Sequence, residues 1–360
     1  MYQALYRKWR PATFDDVCGQ EHITEILKYE TAENRISHAY LFCGPRGTGK
    51  TSCAKILAKA INCLSPENGN PCGKCAACRA IESESATDVL EMDAASNNGV
   101  DNVRALREEA VFTPASVRKR VYIIDEVHML SASAFNALLK ILEEPPEHLM
   151  FILATTELQK VPATILSRCQ RHSFRRIDTP DIAEYLEYIA KQENFKLSHE
   201  AAELIARLAD GGVRDALSLL DQCSASATID LEAVYSAMGL VGNRRTAQLM
   251  SSILDHDTDK TLRDFNSKDP ATLLTELSGL LRDTLMTHVA PKGARSLISG
   301  GYDDTTLGEL SGRMTTEEII CAMETVQKYT ASMRESTSPK TTAELCLVSL
   351  CDNTMGESIA

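Results

Sequence analysis

The chain has 360 residues, of which 44% are hydrophobic and 24% are charged, and its formal net charge is -12. A chain of this length is too long to form a single ordinary hydrophobic core, so two or three domains are expected. The composition is that of a globular protein and not of a disordered chain. The acidic net charge argues against a protein that binds nucleic acid through bulk positive charge alone, although it does not exclude binding through a local basic face.

The N-terminal segment lacks the features of a targeting sequence. It contains Arg7, Lys8 and Arg10 but no apolar core of the kind that a secretory signal needs. No apolar run approaches the roughly 20 residues that cross a bilayer. We therefore expect a cytoplasmic protein without a membrane partner.

The most informative motif follows a predicted buried strand over 39–43 and precedes a helix predicted over 51–61. It fits the pattern G-x-x-x-x-G-K-[ST], in which a glycine-rich loop points backbone N–H groups at phosphate oxygens. Its residues are Gly44, Pro45, Arg46, Gly47, Thr48, Gly49, Lys50 and Thr51. The pattern predicts ATP binding, with the Lys50 ammonium near the β- and γ-phosphates and the Thr51 hydroxyl on Mg²⁺.

Four of the twelve cysteines form a metal-binding pattern after this helix. The spacing is C-x8-C-x2-C-x2-C, and the residues are Cys63, Cys72, Cys75 and Cys78. Tetrahedral Cys₄ sites that are closed to solvent hold structural Zn²⁺, so a zinc module is predicted at about 62–80. An iron–sulfur cluster stays an alternative, whereas a disulfide framework is disfavoured without a secretory signal. The other cysteines sit mostly in apolar contexts and are expected to be small buried residues.

The next part of the chain alternates short apolar runs with helical stretches, which is typical of a parallel sheet with helices on both faces. Strands are predicted over 89–92, 121–125, 149–154 and 172–174. The second of these ends in two carboxylates: Asp125 is expected to hold Mg²⁺, and Glu126 to polarise a water aimed at the γ-phosphate. A helix capped by Ser131 or Ser133 is predicted to follow.

Strand signals fade after residue 180, and helices are predicted over 181–240 and 244–352. Two leucine-rich stripes support the last helical region. They comprise Leu273, Leu274, Leu277, Leu280 and Leu281, and then Leu345, Leu347, Val348 and Leu350. The predicted fold class is α/β, with a parallel-sheet domain that contains the cysteine insertion, then a small helical domain and a larger helical domain.

With these motifs in place, the chain resembles the AAA+ clamp-loader ATPases, and most closely the gamma/tau subunit family of bacterial DNA polymerase III. The resemblance covers nearly the whole chain. The matching segments are YRKWRP at 6–11, VCGQEH at 17–22, the four cysteines, DEVHML at 125–130, FNALLK at 135–140, LEEPP at 142–146, ATT at 154–156, SRC at 167–169 and VRD at 213–215.

The resemblance implies an AAA+ nucleotide-binding domain over 1–177, a helical lid domain over 178–240 and a helical oligomerisation (collar) domain over 241–355. It implies that the first segment packs beside the adenine and that Thr156 is a sensor that orients the attacking water. Arg214 would reach the γ-phosphate of the chain's own ATP, and Arg168 would act as an arginine finger in a neighbouring subunit's site.

The implied function is that of an ATP-driven motor subunit of the clamp loader of DNA polymerase III. The implied partners are other clamp-loader subunits in a ring-forming hetero-oligomer, the sliding clamp, primer–template DNA and the DNA polymerase III core. The cofactors would be ATP, Mg²⁺ and Zn²⁺, and the location the bacterial cytoplasm, at the nucleoid during replication.

Three other functions compete with this interpretation. A non-hydrolysing stator subunit of the same assembly is expected to lose Lys50 or Glu126, and both are present. The four cysteines and the Ser-Arg-Cys motif count against a branch-migration helicase. A small-molecule P-loop kinase is disfavoured because an arginine finger is offered and no acceptor pocket is evident. His22 and His128 are interpreted as structural, since Glu126 already fills the position of the base.

Overall fold

The computed structural model describes residues 3–224, 228–238, 241–265, 269–291, 297–298, 301–302, 304–333, 336 and 338–352. The chain forms two compact units: Met1–Phe195 with Ala209–Gln222, and Lys196–Leu208 with Cys223–Ala360. The predicted domain boundary at residue 240 and the predicted end at residue 355 lie outside the described residues. The three predicted domain ranges therefore stay predictions.

A five-stranded parallel sheet forms the centre of the first unit, as the alternation of strands and helices predicted. The strands are β1 (Ala39–Cys43), β2 (Val89–Asp93), β3 (Arg120–Asp125), β4 (Leu149–Thr155) and β5 (Gln170–Ser173). Their order across the sheet is β2-β3-β4-β1-β5. The last strand starts two residues earlier than predicted, because Gln170 already pairs with Tyr40 of β1.

Successive residues of each central strand point to opposite faces of the sheet, and both faces are covered. In β1, Tyr40 and Phe42 enter one buried cluster, and Ala39 and Leu41 enter the other. A strand buried on both faces reads as a continuous apolar run, which explains why these strands were visible in the sequence.

Helices cover the sheet and form the rest of the first unit. They are α1 (Leu5–Lys8), α2 (Glu21–Ala32), α3 (Lys50–Asn62), α4 (Ala76–Glu82), α5 (Val100–Ala110), α6 (Ala132–Glu143), α7 (Ala163–Leu166), α8 (Thr179–Gln192) and α10 (Val213–Cys223). The predicted cap of α6 is confirmed at Ser131, whose hydroxyl accepts a hydrogen bond from the Ala134 N–H at 3.2 Å.

The second unit is mainly helical. Its helices are α9 (His199–Leu208), α11 (Leu231–Ala237), α12 (Val241–Leu254), α13 (Thr258–Phe265), α14 (Pro270–Val289), α15 (Asp304–Arg313), α16 (Thr316–Met333) and α17 (Pro339–Cys351). The purely helical prediction for 181–240 was incomplete: β6 (Lys196–Leu197) and β7 (Thr228–Ile229) form a short parallel pair. Strands of two residues leave no periodic signal.

The leucine stripe of α14 is confirmed, because its five predicted leucines lie in one buried cluster. The stripe of α17 was wrong at Leu345, which is 53% exposed. Leu345 and Leu347 are two residues apart, so a helix of 3.6 residues per turn places them on nearly opposite sides. Among the described residues, no helix has both the length and the apolar character that spanning a bilayer requires.

Candidate active site

The loop between β1 and α3 has the curled backbone that the phosphate-binding pattern predicted. Gly44 has φ of +146°, and a Cβ there would lie 2.3 Å from the carbonyl oxygen of Phe174. Gly49 precedes the first residue of α3 with φ of +98°, a left-handed conformation that favours glycine. The helix therefore begins at the loop with its free N–H groups facing the cleft described below.

Lys50 is folded back onto the loop in this structure. Its Nζ donates hydrogen bonds to the carbonyl oxygens of Gly44 at 2.9 Å and Pro45 at 2.7 Å. Burial lowers the pKa of Lys50, whereas the nearby carboxylates of Glu126 and Asp125 raise it. The ammonium thus occupies the inside of the loop, where a bound anion would replace the two carbonyl oxygens as its partner.

Thr51 and Asp125, the two predicted magnesium ligands, are in direct contact. The Thr51 hydroxyl donates to Oδ2 of Asp125 at 2.7 Å. Asp125 ends β3 and Thr51 lies in the first turn of α3. A hydroxyl and a carboxylate form an oxygen donor set of the kind that Mg²⁺ prefers, so these residues fit the metal.

Glu126 and Thr156, the predicted base and sensor, are also joined. Oε2 of Glu126 accepts hydrogen bonds from the Thr156 backbone N–H at 3.1 Å and from its hydroxyl at 2.9 Å. Glu126 has φ of 47° in the left-handed region, which is uncommon for a residue with a side chain. The carboxylate therefore faces the end of the central strand β4, which stops at Thr155.

His128 was interpreted as structural, yet it contacts this carboxylate. Its Nδ1 lies 3.3 Å from Oε2 of Glu126 and 3.0 Å from the hydroxyl of Thr155. Its Nε2 lies 3.3 Å from Oε1 of Glu157. The signal available in the sequence was a histidine two residues after the predicted base. His22, in contrast, contacts the backbone carbonyl of Ser173 at 3.2 Å.

A cleft of about 970 Å³ in the first unit is lined by most of these predicted residues, but not by Gly44, Pro45 or Thr156. Its lining includes the loop from Arg46 to Thr51, both acidic residues at the end of β3, and the start of α10. Residues of the YRKWRP segment form part of the wall, and these are Tyr6, Arg7, Trp9, Arg10 and Pro11. The segment therefore contributes to the same cleft as the phosphate-binding loop, and its predicted position beside the adenine stays a prediction.

Trp9 and Arg214 belong to the aromatic part of this cleft. Trp9 contacts Tyr188 edge to face with ring centroids 5.9 Å apart, and its Nε1 donates to Glu193 at 2.7 Å. The Arg214 guanidinium lies 5.2 Å from the centroid of the Tyr6 ring, a cation–π contact. Arg214 thus lines the cleft at the start of α10, and its backbone N–H donates to the carbonyl oxygen of Gly47 in the loop at 3.5 Å.

Arg168 does not line this cleft. Its guanidinium donates to Oε1 of Glu143 at 2.8 Å and to the carbonyl oxygen of Thr164 at 2.8 Å. The side chain is 34% exposed. The surface ion pair, which was the alternative to an arginine finger, is therefore present in the single chain. An exposed arginine outside the chain's own site is also what a finger that acts on a neighbour requires.

The four predicted metal ligands form a cluster in which all sulfur atoms lie within 4.8 Å of one another. Its members come from the residue that follows α3, the loop between α3 and α4, and the start of α4. The members are Cys63, Cys72, Cys75 and Cys78. Zn–S bonds of about 2.3 Å place tetrahedral thiolates about 3.8 Å apart, so the donor set fits Zn²⁺.

Backbone N–H groups already point at these sulfur atoms. Cys72 donates to Sγ of Cys63 at 3.2 Å, and Cys78 donates to Sγ of Cys75 at 3.4 Å. Burial raises the pKa of Cys75, but N–H donors from Leu64 and Cys78 and the neighbouring thiols lower it to about 6. Backbone donors around thiolates are the outer contacts that a metal site uses.

Most of the remaining cysteines are buried as predicted, but not all. Those predicted as small buried residues were Cys43, Cys53, Cys169, Cys223, Cys321 and Cys346. Cys169 and Cys321 are only partly buried, and the others are buried. Burial raises the pKa of the Cys53 thiol to about 12, so this cysteine is a core residue and not a reactive one.

Three family models match successive parts of the chain. The model described as DNA polymerase III, delta subunit, matches residues 19–178. The model described as DNA polymerase III clamp loader subunit, ATPase lid domain, matches residues 181–228. The model described as DNA polymerase III subunits gamma and tau domain III matches residues 229–358. The three matches together leave little of the chain uncovered.

Two full-length relatives are similar along most of the chain. The DNA polymerase III subunit tau of Bacillus subtilis is 45% identical over 358 residues, which are 97% of this chain and 63% of the relative. The corresponding subunit of Escherichia coli is 43% identical over 297 residues, which are 81% of this chain and 46% of the relative. The chain thus spans less than two thirds of the length of these relatives.

Among solved structures, a variant of the Thermotoga maritima RuvB protein aligns with a TM-score of 0.48 and 18% identity. The alignment covers 68% of this chain and 79% of that one.

Proposed function

Since the chain belongs to the gamma and tau subunit family of the bacterial DNA polymerase III clamp loader, we propose that it is an ATP-driven motor subunit that loads the sliding clamp onto primed DNA. One observation supports a motor over a stator. Lys50, Thr51, Asp125 and Glu126 all line one cleft, and a stator is expected to lose Lys50 or Glu126.

In this proposal, the loop from Gly44 to Thr51 holds the phosphates of ATP through its backbone N–H groups. Lys50 exchanges its two carbonyl contacts for phosphate oxygens, and Thr51 and Asp125 hold Mg²⁺. Bound Mg²⁺ neutralises charge on the phosphates. Arg214 approaches the same phosphates from the start of α10.

Glu126 is proposed as the general base. It lies beside Asp125 at the end of β3, and its carboxylate faces Thr156. A carboxylate at this position orients a water and accepts its proton. Thr156 then serves as the sensor by fixing the carboxylate and contributing a hydroxyl to the same region.

Hydrolysis in an assembly is proposed to depend on Arg168 of a neighbouring subunit. A guanidinium supplied in trans stabilises charge on the transferred phosphoryl group. In the single chain, Arg168 is half-exposed and paired with Glu143. Assembly would therefore require the arginine to exchange this carboxylate for the partner's site, which links hydrolysis to the presence of other clamp-loader subunits.

The proposed partners follow from the loading function: other clamp-loader subunits, the sliding clamp, primer–template DNA and the DNA polymerase III core. An acidic chain is compatible with DNA contact, since each subunit of a ring meets DNA through a local face. We propose residues 178–240 as the lid and residues 241–355 as the collar through which subunits assemble, in the cytoplasm.

The cysteine cluster is proposed to hold one structural Zn²⁺. All four sulfur atoms converge on one point, so no coordination position is left for a reacting water. The proposed role is to fix α4 against the end of α3.

A steady-state ATPase assay tests the motor proposal. The chain is measured alone and then with companion subunits, sliding clamp and primed DNA. We expect low turnover alone and strong stimulation in the complete mixture, which Glu126→Gln in this chain should reduce. Negligible turnover at this chain's site under every condition, with intact ATP binding, would instead indicate the stator.

A further inference from the structure

His128 lies between two carboxylates and is almost completely buried. Its side chain is 6% exposed, whereas those of Glu126 and Glu157 are 31% and 37% exposed. Nδ1 faces Glu126 at 3.3 Å, and Nε2 faces Glu157 at 3.3 Å. The two ring nitrogens therefore have different partners, one of which is the proposed base.

The contacts of Glu126 are unevenly divided between its two oxygens. In the described part of the chain, its side-chain hydrogen bonds from Thr156 and its contact with His128 all involve Oε2. Oε1 is thereby left to address a water in the cleft. A carboxylate that is held at one oxygen is restricted in rotation, and fixed orientation is what general-base catalysis requires.

The imidazole is itself held from the far side. Oε1 of Glu157, which faces Nε2, also accepts a hydrogen bond from Lys160 at 2.8 Å. The backbone N–H of Glu157 donates to the Thr155 hydroxyl at 3.0 Å, and that hydroxyl lies 3.0 Å from Nδ1 of His128. The ring is thus held at Nδ1 by the last residue of β4 and at Nε2 by Glu157, which follows that strand.

We propose that His128 is a positioning residue for hydrolysis: its Nδ1 holds Oε2 of Glu126, so that Oε1 is aimed at the attacking water. This inference rests on the proposed function, in which Glu126 is the base. Glu157 supports the ring through Nε2 but does not itself contact the base. If the His128 ring only filled space, it would not matter for hydrolysis which of its two nitrogens a substitution replaces with a donor.

Two substitutions separate the nitrogens. The amide nitrogen of asparagine stands as many bonds from Cα as Nδ1, and that of glutamine stands as many as Nε2. His128→Asn therefore keeps a donor toward Glu126, and His128→Gln keeps one toward Glu157. Single-turnover ATP hydrolysis is measured in the assembled complex with DNA and clamp, with His148→Gln as the control, since the His148 ring contacts the Ala110 carbonyl at 3.0 Å and does not line the cleft.

We expect His128→Gln to lower single-turnover hydrolysis on the order of 10- to 100-fold, the loss typical of partners that orient a functional ligand. His128→Asn should stay within a few-fold of wild type. ATP affinity should be unchanged in both variants, as followed by the fluorescence of Trp9, the single tryptophan of the chain. A loss restricted to the hydrolytic step distinguishes positioning from general disruption.

A measurement without nucleotide completes the test. Urea unfolding of the full chain is followed by Trp9 fluorescence for His128→Gln, Glu126→Gln and the double variant. If the pair interacts, the fall in the urea midpoint of the double variant should be smaller than the sum of the two single falls. In the His128→Asn background, Glu126→Gln should lower the urea midpoint as much as it does in the wild-type chain.

Equal losses in His128→Asn and His128→Gln, or a milder loss in His128→Gln, would overturn the positioning role. Wild-type hydrolysis in both variants would overturn it while leaving the proposed function intact. A wild-type complex that turns over no ATP would overturn the proposed function, and the role of His128 with it.

Discussion

The hydroxyl of Thr51 donates a hydrogen bond of 2.7 Å to Oδ2 of Asp125, which joins the first turn of α3 to the end of β3. The two residues are 74 positions apart in the chain, and the parallel sheet brings them together. This contact fixes the donor set that we propose for Mg²⁺ before the metal arrives.

Thr51→Val tests this donor set because valine keeps the shape of threonine but lacks the oxygen. We expect the increase in ATP affinity that Mg²⁺ causes to fall by about tenfold, equivalent to about 1.4 kcal/mol. Trp9 fluorescence titrations with and without Mg²⁺ measure it. Thr31→Val, which removes a hydroxyl that donates to the Leu27 carbonyl oxygen within α2, should leave the Mg²⁺ effect unchanged.

Lys50→Ala should abolish measurable ATP binding or weaken it by about 10- to 100-fold, the range expected for hydrogen bonds to charged groups. The ammonium is buried within the loop, where it contacts the carbonyl oxygens of Gly44 and Pro45. Isothermal titration calorimetry measures the affinity. Lys191→Ala, which removes the same charge from the surface of α8, is the control. Unchanged affinity in Lys50→Ala would contradict the proposed phosphate contact.

Glu126→Gln should retain ATP binding and stop hydrolysis. The amide is nearly isosteric with the carboxylate, but it cannot accept the proton of the attacking water. We expect single-turnover hydrolysis to fall about 10²- to 10⁴-fold, the range of general-base contributions. Glu144→Gln, at an exposed position beyond α6, should hydrolyse at the wild-type rate. A Glu126→Gln chain with the wild-type rate would show that another group is the base.

The sequence predicted the parts of this site that depend on local rules. The loop, the helix after it and the two carboxylates at the end of β3 are read from residue types at fixed spacing. The contacts of His128 with Glu126 and Glu157 were not predicted. They require β3 and β4 to be neighbours in the sheet and require the left-handed turn at Glu126, neither of which has a periodic signal.

The fold shows the same division between local and tertiary information. Buried strands such as β1 and β4 were predicted closely, because both faces are covered and their residues are apolar throughout. The pair β6 and β7 was missed because each strand has two residues. Leu345 was assigned to a buried stripe on its residue type, although the helical period places it on the exposed side.

Removal of zinc should loosen the cysteine module without dismantling the nucleotide site. We expect one zinc per chain by elemental analysis, and Cys75→Ala should lose it, whereas Cys223→Ala, a buried cysteine outside the cluster, should keep it. Lys74 is exposed between two of the predicted ligands, so tryptic cleavage after it should accelerate on chelation. ATP affinity should change by less than a few-fold. A wild-type chain without zinc would refute the metal assignment.

Arg168→Ala should leave the chain's own ATP binding intact and lower hydrolysis in the assembled complex by about 10³- to 10⁵-fold at the neighbour's site. The reason is that Arg168 lies outside the chain's own cleft and contacts Glu143 instead. Arg171→Ala removes an exposed arginine from the nearby strand β5 and serves as the control. Loss of ATP binding in isolated Arg168→Ala would show that the residue acts within its own chain.

Mixed assemblies give the sharper test of an active site shared between subunits. A chain with Arg168→Ala and intact Glu126 should still hydrolyse ATP when its neighbour supplies the arginine. A chain with Glu126→Gln should be inactive at its own site, whatever the neighbour contains. Glu143→Gln adds a third arm, because it releases Arg168 from its ion pair and should leave hydrolysis equal to or faster than wild type. The reverse pattern, with Arg168→Ala silencing the site of its own chain, would contradict a finger that acts in trans.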